Sequence, residues 1–173
     1  LSEFKQAGWG LAKPFTPGSL VNVQVQAVMG GLPPLPAAMY NGMVAPWVKS
    51  PMRGAIWYQG ESNAWRAQQY APLLKSVINE WRASWRDPEF AFLTVQLPIY
   101  DAKRDGGDSG TWPELRESQS KSLSLKKTGV VTTLDVGMVD NIHPIDKEPV
   151  GARLVSAALN VVYGKEGGLC PTY

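Results

Sequence analysis

The stretch that decides the fold is "GAIWYQGESNA", residues Gly54–Ala64, where a short apolar run is followed at once by polar side chains. The apolar part, Gly54–Tyr58, has the length and composition of a strand that is buried on both faces. The polar residues that come directly after it are Gln59, Gly60, Glu61 and Asn63. The sequence therefore predicts a buried strand that presents polar chemistry at its carboxyl end.

Further apolar segments predict that strands and helices alternate along the chain. One predicted helix begins at Thr111 with two independent start signals, a capping box and a proline at the first helical position. The other predicted elements are strands at Phe90–Leu97 and Val130–Leu134 and helices at Pro72–Trp85 and Val150–Tyr163. This alternation indicates the α/β class with a mostly parallel sheet.

The amino-terminal segment, residues 1–40, contains many glycines and prolines and is assigned no structure beyond a possible strand at Val21–Val28. The chain has 173 residues, of which 44% are hydrophobic. That is enough for one domain with a sizeable core, so we expect a single domain.

Charge, apolar runs and cysteine content exclude several classes of partner. A formal net charge of +2 on 18% charged residues gives no basic stripe for phosphates, so nucleic acid is not an expected partner. No stretch approaches the roughly 18 uninterrupted apolar residues of a membrane span, and Leu1–Gln6 lacks the pattern of a signal peptide. The single cysteine, Cys170, excludes an internal disulfide framework and a multi-thiolate metal site, and the sequence implies no metal or cofactor.

A second polar cluster follows the strand predicted at Val130–Leu134. It contains Asp135 and then the motif "DNIHP", in which Asp140 precedes His143, the only histidine of the chain. Open parallel sheets bind ligands beyond the carboxyl ends of their strands, so this cluster and the one after Tyr58 could meet at one site. A carboxylate can fix the tautomer of an imidazole that acts as general base in acyl transfer. The alternative is a loop histidine whose ring is satisfied by a nearby carboxylate.

Separated blocks of the sequence, in this order, resemble the sialate O-acetylesterase family, a branch of the SGNH esterases. The blocks are "WYQGESNA", "WPELRESQ", "DNIHP" with the lysine after it, and "VGARL". The resemblance extends from about Tyr40 to the end of the chain. It implies that residues 40–173 belong to a three-layer α/β SGNH-hydrolase domain of flavodoxin-like topology. It also implies removal of O-acetyl groups from carbohydrates by a Ser-His-Asp mechanism, with no metal or cofactor.

The resemblance also implies the roles of individual residues. It makes His143 the general base, Asp140 the residue that orients it, and Gln59 the side-chain donor to the oxyanion. An amide suits the last role because it donates a hydrogen bond without adding a titrating charge. The alternative for Gln59 is an amide that caps loose backbone groups at the strand end.

The nucleophile is the point at which the chain departs from the family pattern. The family's Gly-Gln-Ser-Asn-like turn is not found, and Ser62 in "GESN" resembles it in letters only, since this block of the family does not carry the nucleophile. We assign no residue as nucleophile and expect the chain to be a carboxyl-terminal portion of a catalytic domain. The alternative function is a non-catalytic carbohydrate-binding relic of the same fold. The resemblance suggests a periplasmic or secreted location, and the sequence does not determine the oligomeric state.

Several neighbouring residues are predicted to support the site and its acetylated carbohydrate. Glu61 could serve as a second acid or form an ion pair with Arg116 at the start of the next helix. Trp65 and Trp112 begin helices at the same end of the sheet and could belong to the core or to the floor of a sugar site. The remaining predicted supports are Gly60 and Asn63.

Overall fold

The structure, a computed structural model, describes residues 40–100 and 111–165. The possible strand at Val21–Val28 lies outside this part of the chain. The chain divides into two units, Leu1–Pro51 and Met52–Tyr173.

Of the first unit, the structure describes two short elements, a π-helical turn at Tyr40–Val44 and a 3-10 helix at Ala45–Trp47. The second unit contains a sheet and the α-helices that cover it. Its strands are β1 (Gly54–Trp57), β2 (Ala91–Val95) and β3 (Thr128–Val131). Its helices are α1 (Ala67–Trp85), α2 (Thr111–Ser120) and α3 (Glu148–Val161).

The strands run parallel in the order β1-β2-β3. Gly54 lies opposite Ala91, and Phe92 lies opposite Thr128. The central strand β2 is buried along its whole length, as expected of a strand that is covered on both faces. The predicted α/β class with a mostly parallel sheet is confirmed. The prediction that β1 is buried on both faces is wrong, because β1 pairs only with β2 among the described strands and its Ile56 is 63% exposed.

Helices cover both faces of the sheet, which gives three layers. On one face α1 packs through ring contacts that join Trp57 of β1 to Trp81 and Phe92, and α2 packs against α1. On the other face α3 packs on β2 and β3. Gly129 permits this close approach, because a Cβ there would lie 2.9 Å from the Leu93 side chain and 3.3 Å from a valine methyl group of α3.

Helix α1 begins at Ala67, earlier than the predicted start at Pro72. Pro72 lies inside the helix, where it lacks the N–H that would bond the carbonyl of Gln68. Both residues are exposed, so water can satisfy that carbonyl. The helix ends at Trp85 because Arg86 adopts the left-handed conformation with φ 53°.

The carboxyl ends of the strands meet at one edge of the sheet. β1 continues into Gln59, β2 into Gln96 and β3 into Thr133. The hydroxyl of Thr133 donates a hydrogen bond to the carbonyl of Gln96 at 2.7 Å, which ties two of these ends together. β3 stops at Val131, before the predicted Leu134, because the chain turns into a 3-10 helix there.

Candidate active site

Gln59 is held at the end of β1 by side chains from other elements. Its backbone carbonyl accepts hydrogen bonds from the Tyr70 hydroxyl in α1 at 2.9 Å and from Nε2 of Gln119 in α2 at 3.0 Å. Its side-chain Nε2 donates to Oδ1 of Asn63 at 2.8 Å, and its Oε1 lies 3.2 Å from the Tyr70 hydroxyl. The amide thus bonds side chains rather than loose backbone groups. Among the described contacts, Nε2 uses one of its two N–H groups.

Gln119 joins the ends of β1 and β2, although the sequence pattern does not single it out. Its fully buried side chain accepts a hydrogen bond from the N–H of Leu97 at 3.0 Å and donates to the carbonyl of Val95 at 3.2 Å, besides its bond to Gln59. Helical spacing was the sequence signal that could have predicted the burial of Gln119. Gln119 follows the apolar Leu115 by one helical turn and therefore lies on the buried face of α2.

The Tyr70 hydroxyl sits between two residues of the β1 end. Trp57 donates to it from Nε1 at 3.2 Å, and the hydroxyl donates to Gln59. Burial raises the pKa of Tyr70 to about 12, although hydrogen bonds with Trp57 and Gln119 act to lower it, and the charge of Glu61 adds to the increase. The hydroxyl is therefore protonated at neutral pH and remains a donor to Gln59.

Gly60 turns the chain from β1 into a 3-10 helix at Glu61–Arg66. Its φ of 153° is a conformation that other residues rarely adopt, and a Cβ would lie 2.9 Å from the Leu115 side chain. Its carbonyl accepts the N–H of Asn63 at 2.8 Å, which closes the first turn. The tight turn lets the buried Asn63 reach back to Gln59.

Glu61 and Arg116 do not form the predicted ion pair. No ion pair between described residues joins these two side chains. The Glu61 carboxylate accepts the N–H of Gly60 at 2.9 Å, because it stands at the start of a helical turn whose N–H groups attract negative charge. Arg116 contributes its backbone carbonyl, which accepts a hydrogen bond from Nε2 of Gln96 at 3.1 Å.

The two tryptophans predicted at this end differ in exposure. Trp112 is buried, donates from Nε1 to the carbonyl of Pro98 at 2.7 Å and packs against the ring of Tyr100 at 5.3 Å between centroids. This placement favours the core interpretation of Trp112. Trp65 is 70% exposed, and the Arg66 guanidinium lies 4.2 Å from its ring centroid. The exposed ring of Trp65 is accessible for stacking on a sugar.

The loop with "DNIHP" carries Asp140 and His143 on the surface, where both are exposed. The N–H of His143 donates to Oδ1 of Asn141 at 2.9 Å, and Asn141 forms an isolated bridge with Met138. In the ranges 40–100 and 111–165, no hydrogen bond joins the Asp140 carboxylate to the imidazole. Catalytic hydrogen bonds are often long until a ligand binds, and the pairing stays a prediction. Ser62 is also exposed and has no described bond to His143.

Tyr58 brings the histidine loop to the strand end that carries Gln59. Nζ of Lys147 lies 5.7 Å from its ring centroid, and Tyr58 packs against the buried cluster of Val95, Val131 and Val150. Burial raises the pKa of Tyr58, while a hydrogen bond with the Thr133 side chain acts to lower it. The chain on both sides of "DNIHP" therefore contacts the residue next to Gln59. Neither Tyr58 nor Lys147 is among the predicted site residues, although both lie within the quoted blocks.

Arg153 of α3 binds the chain between β3 and this loop. Its Nη1 donates to the carbonyl of Thr132 at 2.8 Å and to Oδ1 of Asp135 at 2.7 Å, and its Nη2 donates to Oδ2 of Asp135 at 2.5 Å. Hydrogen bonding from Arg153 lowers the pKa of Asp135. The carboxylate is therefore ionised at neutral pH and keeps the forked contact.

Other features of the described residues lie away from this edge. In the described ranges, no group of three His, Cys, Asp or Glu side chains could hold a metal ion. None of the helices described there is long and apolar enough to cross a membrane. A cavity of about 190 Å³ at the amino ends of the strands contains no predicted site residue. It is lined by Arg53, Asp87, Glu89, Lys127 and Val162.

The parallel three-layer fold and the polar loops at its carboxyl edge are those of a carbohydrate-esterase domain. A crystal structure of a carbohydrate acetylesterase from Xanthomonas citri is 43% identical in sequence and superposes with a TM-score of 0.71. The match covers 76% of this chain and 31% of that one.

The chain belongs to the family described as carbohydrate esterase, sialic acid-specific acetylesterase, whose model matches residues 29–160. The sialate O-acetylesterase of Mus musculus is 30% identical over 148 residues, which cover 75% of this chain and 27% of that protein. The human sialate O-acetylesterase is 27% identical, with 75% of this chain and 28% of that protein covered. The chain thus spans between a quarter and a third of the relatives it matches. The family predicted from the sequence blocks is confirmed.

Proposed function

We propose that this chain forms part of the active site of an enzyme that hydrolyses O-acetyl esters of carbohydrates. Membership of the family supports the reaction class. The observation that carries the proposal is the contact of Tyr58 with the loop around His143, through Lys147 on one side. It supports the proposal because the loop that carries His143 contacts the strand end that carries Gln59.

The reaction proceeds in two acyl-transfer steps. A serine hydroxyl attacks the acetyl carbonyl while His143 takes its proton, and the carbonyl π electrons move onto oxygen. The second N–H of the Gln59 amide stabilises this oxyanion. When the tetrahedral intermediate collapses, the C–O bond to the sugar breaks and His143 returns the proton to the sugar oxygen. Water then hydrolyses the acetyl-serine by the same route and releases acetate.

Asp140 orients the imidazole in this mechanism by accepting its Nδ1 proton. Both side chains are exposed on the same short loop. Binding of the sugar over this loop would exclude water and strengthen that hydrogen bond.

We assign no serine of this chain as the nucleophile. Ser62 does not fit the role, since it belongs to the turn that positions Asn63 for Gln59. Trp65 is the residue best exposed to stack on the apolar face of a sugar ring.

The experiment compares the complete protein with its His143→Ala variant, using p-nitrophenyl acetate and an O-acetylated sialic acid. We expect kcat/KM of the variant to be at least about 10²-fold lower than that of the wild type. Ile145→Ala is the matched control, since Ile145 is 80% exposed in the same loop and should keep its activity.

The outcomes separate the alternatives. A complete protein that binds the sugar in calorimetry but releases no acetate would be the carbohydrate-binding relic. A complete protein that hydrolyses the ester equally well without His143 would overturn the assignment of the base.

A further inference from the structure

The guanidinium of Arg153 makes three hydrogen bonds to the chain that leaves β3. Two of them form a bidentate contact with the Asp135 carboxylate, and the third reaches the Thr132 carbonyl at 2.8 Å. A planar fork fixes both distance and orientation, which a lysine ammonium cannot do. The contact therefore defines how the segment after β3 departs from the sheet.

This segment leads directly to the histidine loop and returns to the same helix. The 3-10 helix Leu134–Val136 contains Asp135, the bridge between Met138 and Asn141 follows it, and α3 begins at Glu148. Arg153 lies in the second turn of α3. Its contact with Asp135 therefore closes the base of the loop whose tip carries His143.

The exposure of the pair argues against a role in overall stability. The side chain of Asp135 is 60% exposed and that of Arg153 is 21% exposed. Exposed ion pairs generally contribute little to folding, and the forked geometry of this one chiefly fixes its orientation. The Arg153–Asp135 pair therefore acts chiefly by fixing the geometry of the loop that carries His143.

We propose that Arg153 is a positioning residue that acts through Asp135 to hold the loop of His143 at the reacting ester. The inference rests on the proposed function for the role of His143. The pair touches neither the imidazole nor, in the proposed mechanism, the substrate. Its loss lets the base of the loop move, so the imidazole reaches the reacting geometry less often.

The first test observes His143 in the complete protein by histidine-selective NMR. The imidazole signals of His143 are those that disappear from the spectrum of His143→Ala. We expect Arg153→Met and Asp135→Asn each to shift or broaden those signals at fixed pH, and Arg153→Lys to give an intermediate change. Lys121→Met is the matched control, because it removes the cation of an exposed ion pair with Glu117 on α2.

The expected result for Lys121→Met is an unchanged histidine signal. Thermal unfolding of each variant confirms that it is folded at the temperature of the NMR measurement. If Arg153→Met does not fold, Asp135→Asn decides the question, since it keeps the arginine and its bond to Thr132. Histidine signals of Asp135→Asn and wild type that superimpose would overturn the proposal.

The second test separates kcat from KM in the complete protein. We expect Arg153→Met to lower kcat by about 10- to 100-fold, as a displacement of about 1 Å does, with KM changed less than about twofold. Because the two residues act through one contact, the double variant with Asp135→Asn should be no slower than the slower single variant. The proposal would be overturned if the fold-losses of the two single variants multiplied in the double variant. It would also be overturned if Arg153→Met left kcat unchanged.

These outcomes can be told apart from failure of the proposed function. If His143→Ala keeps full activity, the proposed function has failed whatever Arg153 does. If His143→Ala is inactive while Arg153→Met matches wild type in both kcat and the histidine signal, the positioning role alone has failed.

Discussion

The hydroxyl of Tyr70 lies 2.9 Å from the carbonyl oxygen of Gln59 and 3.2 Å from its side-chain Oε1. One buried hydroxyl thus contacts both the backbone and the amide of the predicted oxyanion donor. Tyr70 belongs to α1, a 19-residue helix in the core, so the amide is fixed relative to the most regular part of the domain. A donor held in this way needs little reorganisation when charge develops on a substrate.

Removal of this hydroxyl should destabilise the chain. Tyr70→Phe removes one donor to the carbonyl of Gln59 and the hydroxyl that accepts the Trp57 Nε1–H, both at a partly buried strand end. We expect the free energy of unfolding in urea to fall by about 1–3 kcal/mol. Tyr163→Phe is the control, since Tyr163 is 59% exposed, and it should change stability by less than about 0.5 kcal/mol. Equal losses of stability in the two variants would contradict the stabilising role of the Tyr70 hydrogen bonds.

Alkaline pH should reduce the difference between wild type and Tyr70→Phe. The folded-state pKa of Tyr70 is raised to about 12, whereas an unfolded tyrosine titrates at about 10. Below pH 10 both states bind the proton and the stabilisation is complete; above it the unfolded state ionises first. The advantage of wild type should therefore fall by about 1.4 kcal/mol per pH unit between pH 10 and pH 12. Urea unfolding of both proteins across this range measures it, and a constant difference would contradict the raised pKa.

The sheet was predictable because its signals are local. Each strand is a short apolar run between turn residues, and alternation with helical periodicity indicates parallel pairing. The start of α1 was not predictable to the same degree. Pro72 looks like a helix start, but the exposed position of Gln68 lets the helix continue through it.

The partners in the side-chain network could not be predicted from local signals, although helical spacing from Leu115 places Gln119 on a buried face. Gln119 reaches Gln59 across 60 residues, and nothing in the composition of "RESQS" tells a buried amide from a surface one. The ion pair predicted between Glu61 and Arg116 failed for a related reason. Opposite charges on neighbouring elements suggest a pair, but the nearby N–H of Gly60 competes for the carboxylate.

Loss of the Gln59 amide should affect both rate and stability. Gln59→Ala removes the proposed oxyanion donor, so kcat of the complete protein should fall by about 10² to 10³ with KM changed less than about threefold. Because the amide also bonds Asn63 and Tyr70, the free energy of unfolding should fall by about 1–2 kcal/mol. Asn63→Ala is the comparison, since it removes the same bond but keeps the Gln59 donor. A variant Asn63→Ala as slow as Gln59→Ala would show that positioning, not donation, sets the rate.

The role of Asp140 can be separated from general effects of loop charge. Asp140→Asn should lower kcat of the complete protein by about 10² or more, because the amide cannot stabilise the imidazolium and favours the wrong tautomer. Asp146→Asn is the matched control, an exposed carboxylate of the same loop that accepts the N–H of Glu148 at 3.2 Å. It should leave kcat within about twofold and lower stability by at most about 1 kcal/mol. Equal losses of kcat in the two variants would show that Asp140 acts through the overall charge of the loop and does not orient the His143 imidazole.

Glu61 should act as a cap and not as half of a buried ion pair. Its carboxylate accepts the N–H of Gly60 at 2.9 Å, so Glu61→Ala should lower the free energy of unfolding by about 1 kcal/mol, as loss of a capping residue does. Breaking a buried ion pair would instead cost about 3–5 kcal/mol. In a double-mutant cycle with Arg116→Ala, the two effects should add within about 0.5 kcal/mol. Urea unfolding of the four proteins measures the coupling free energy between the two residues. A coupling above about 2 kcal/mol would support the ion pair predicted from the sequence.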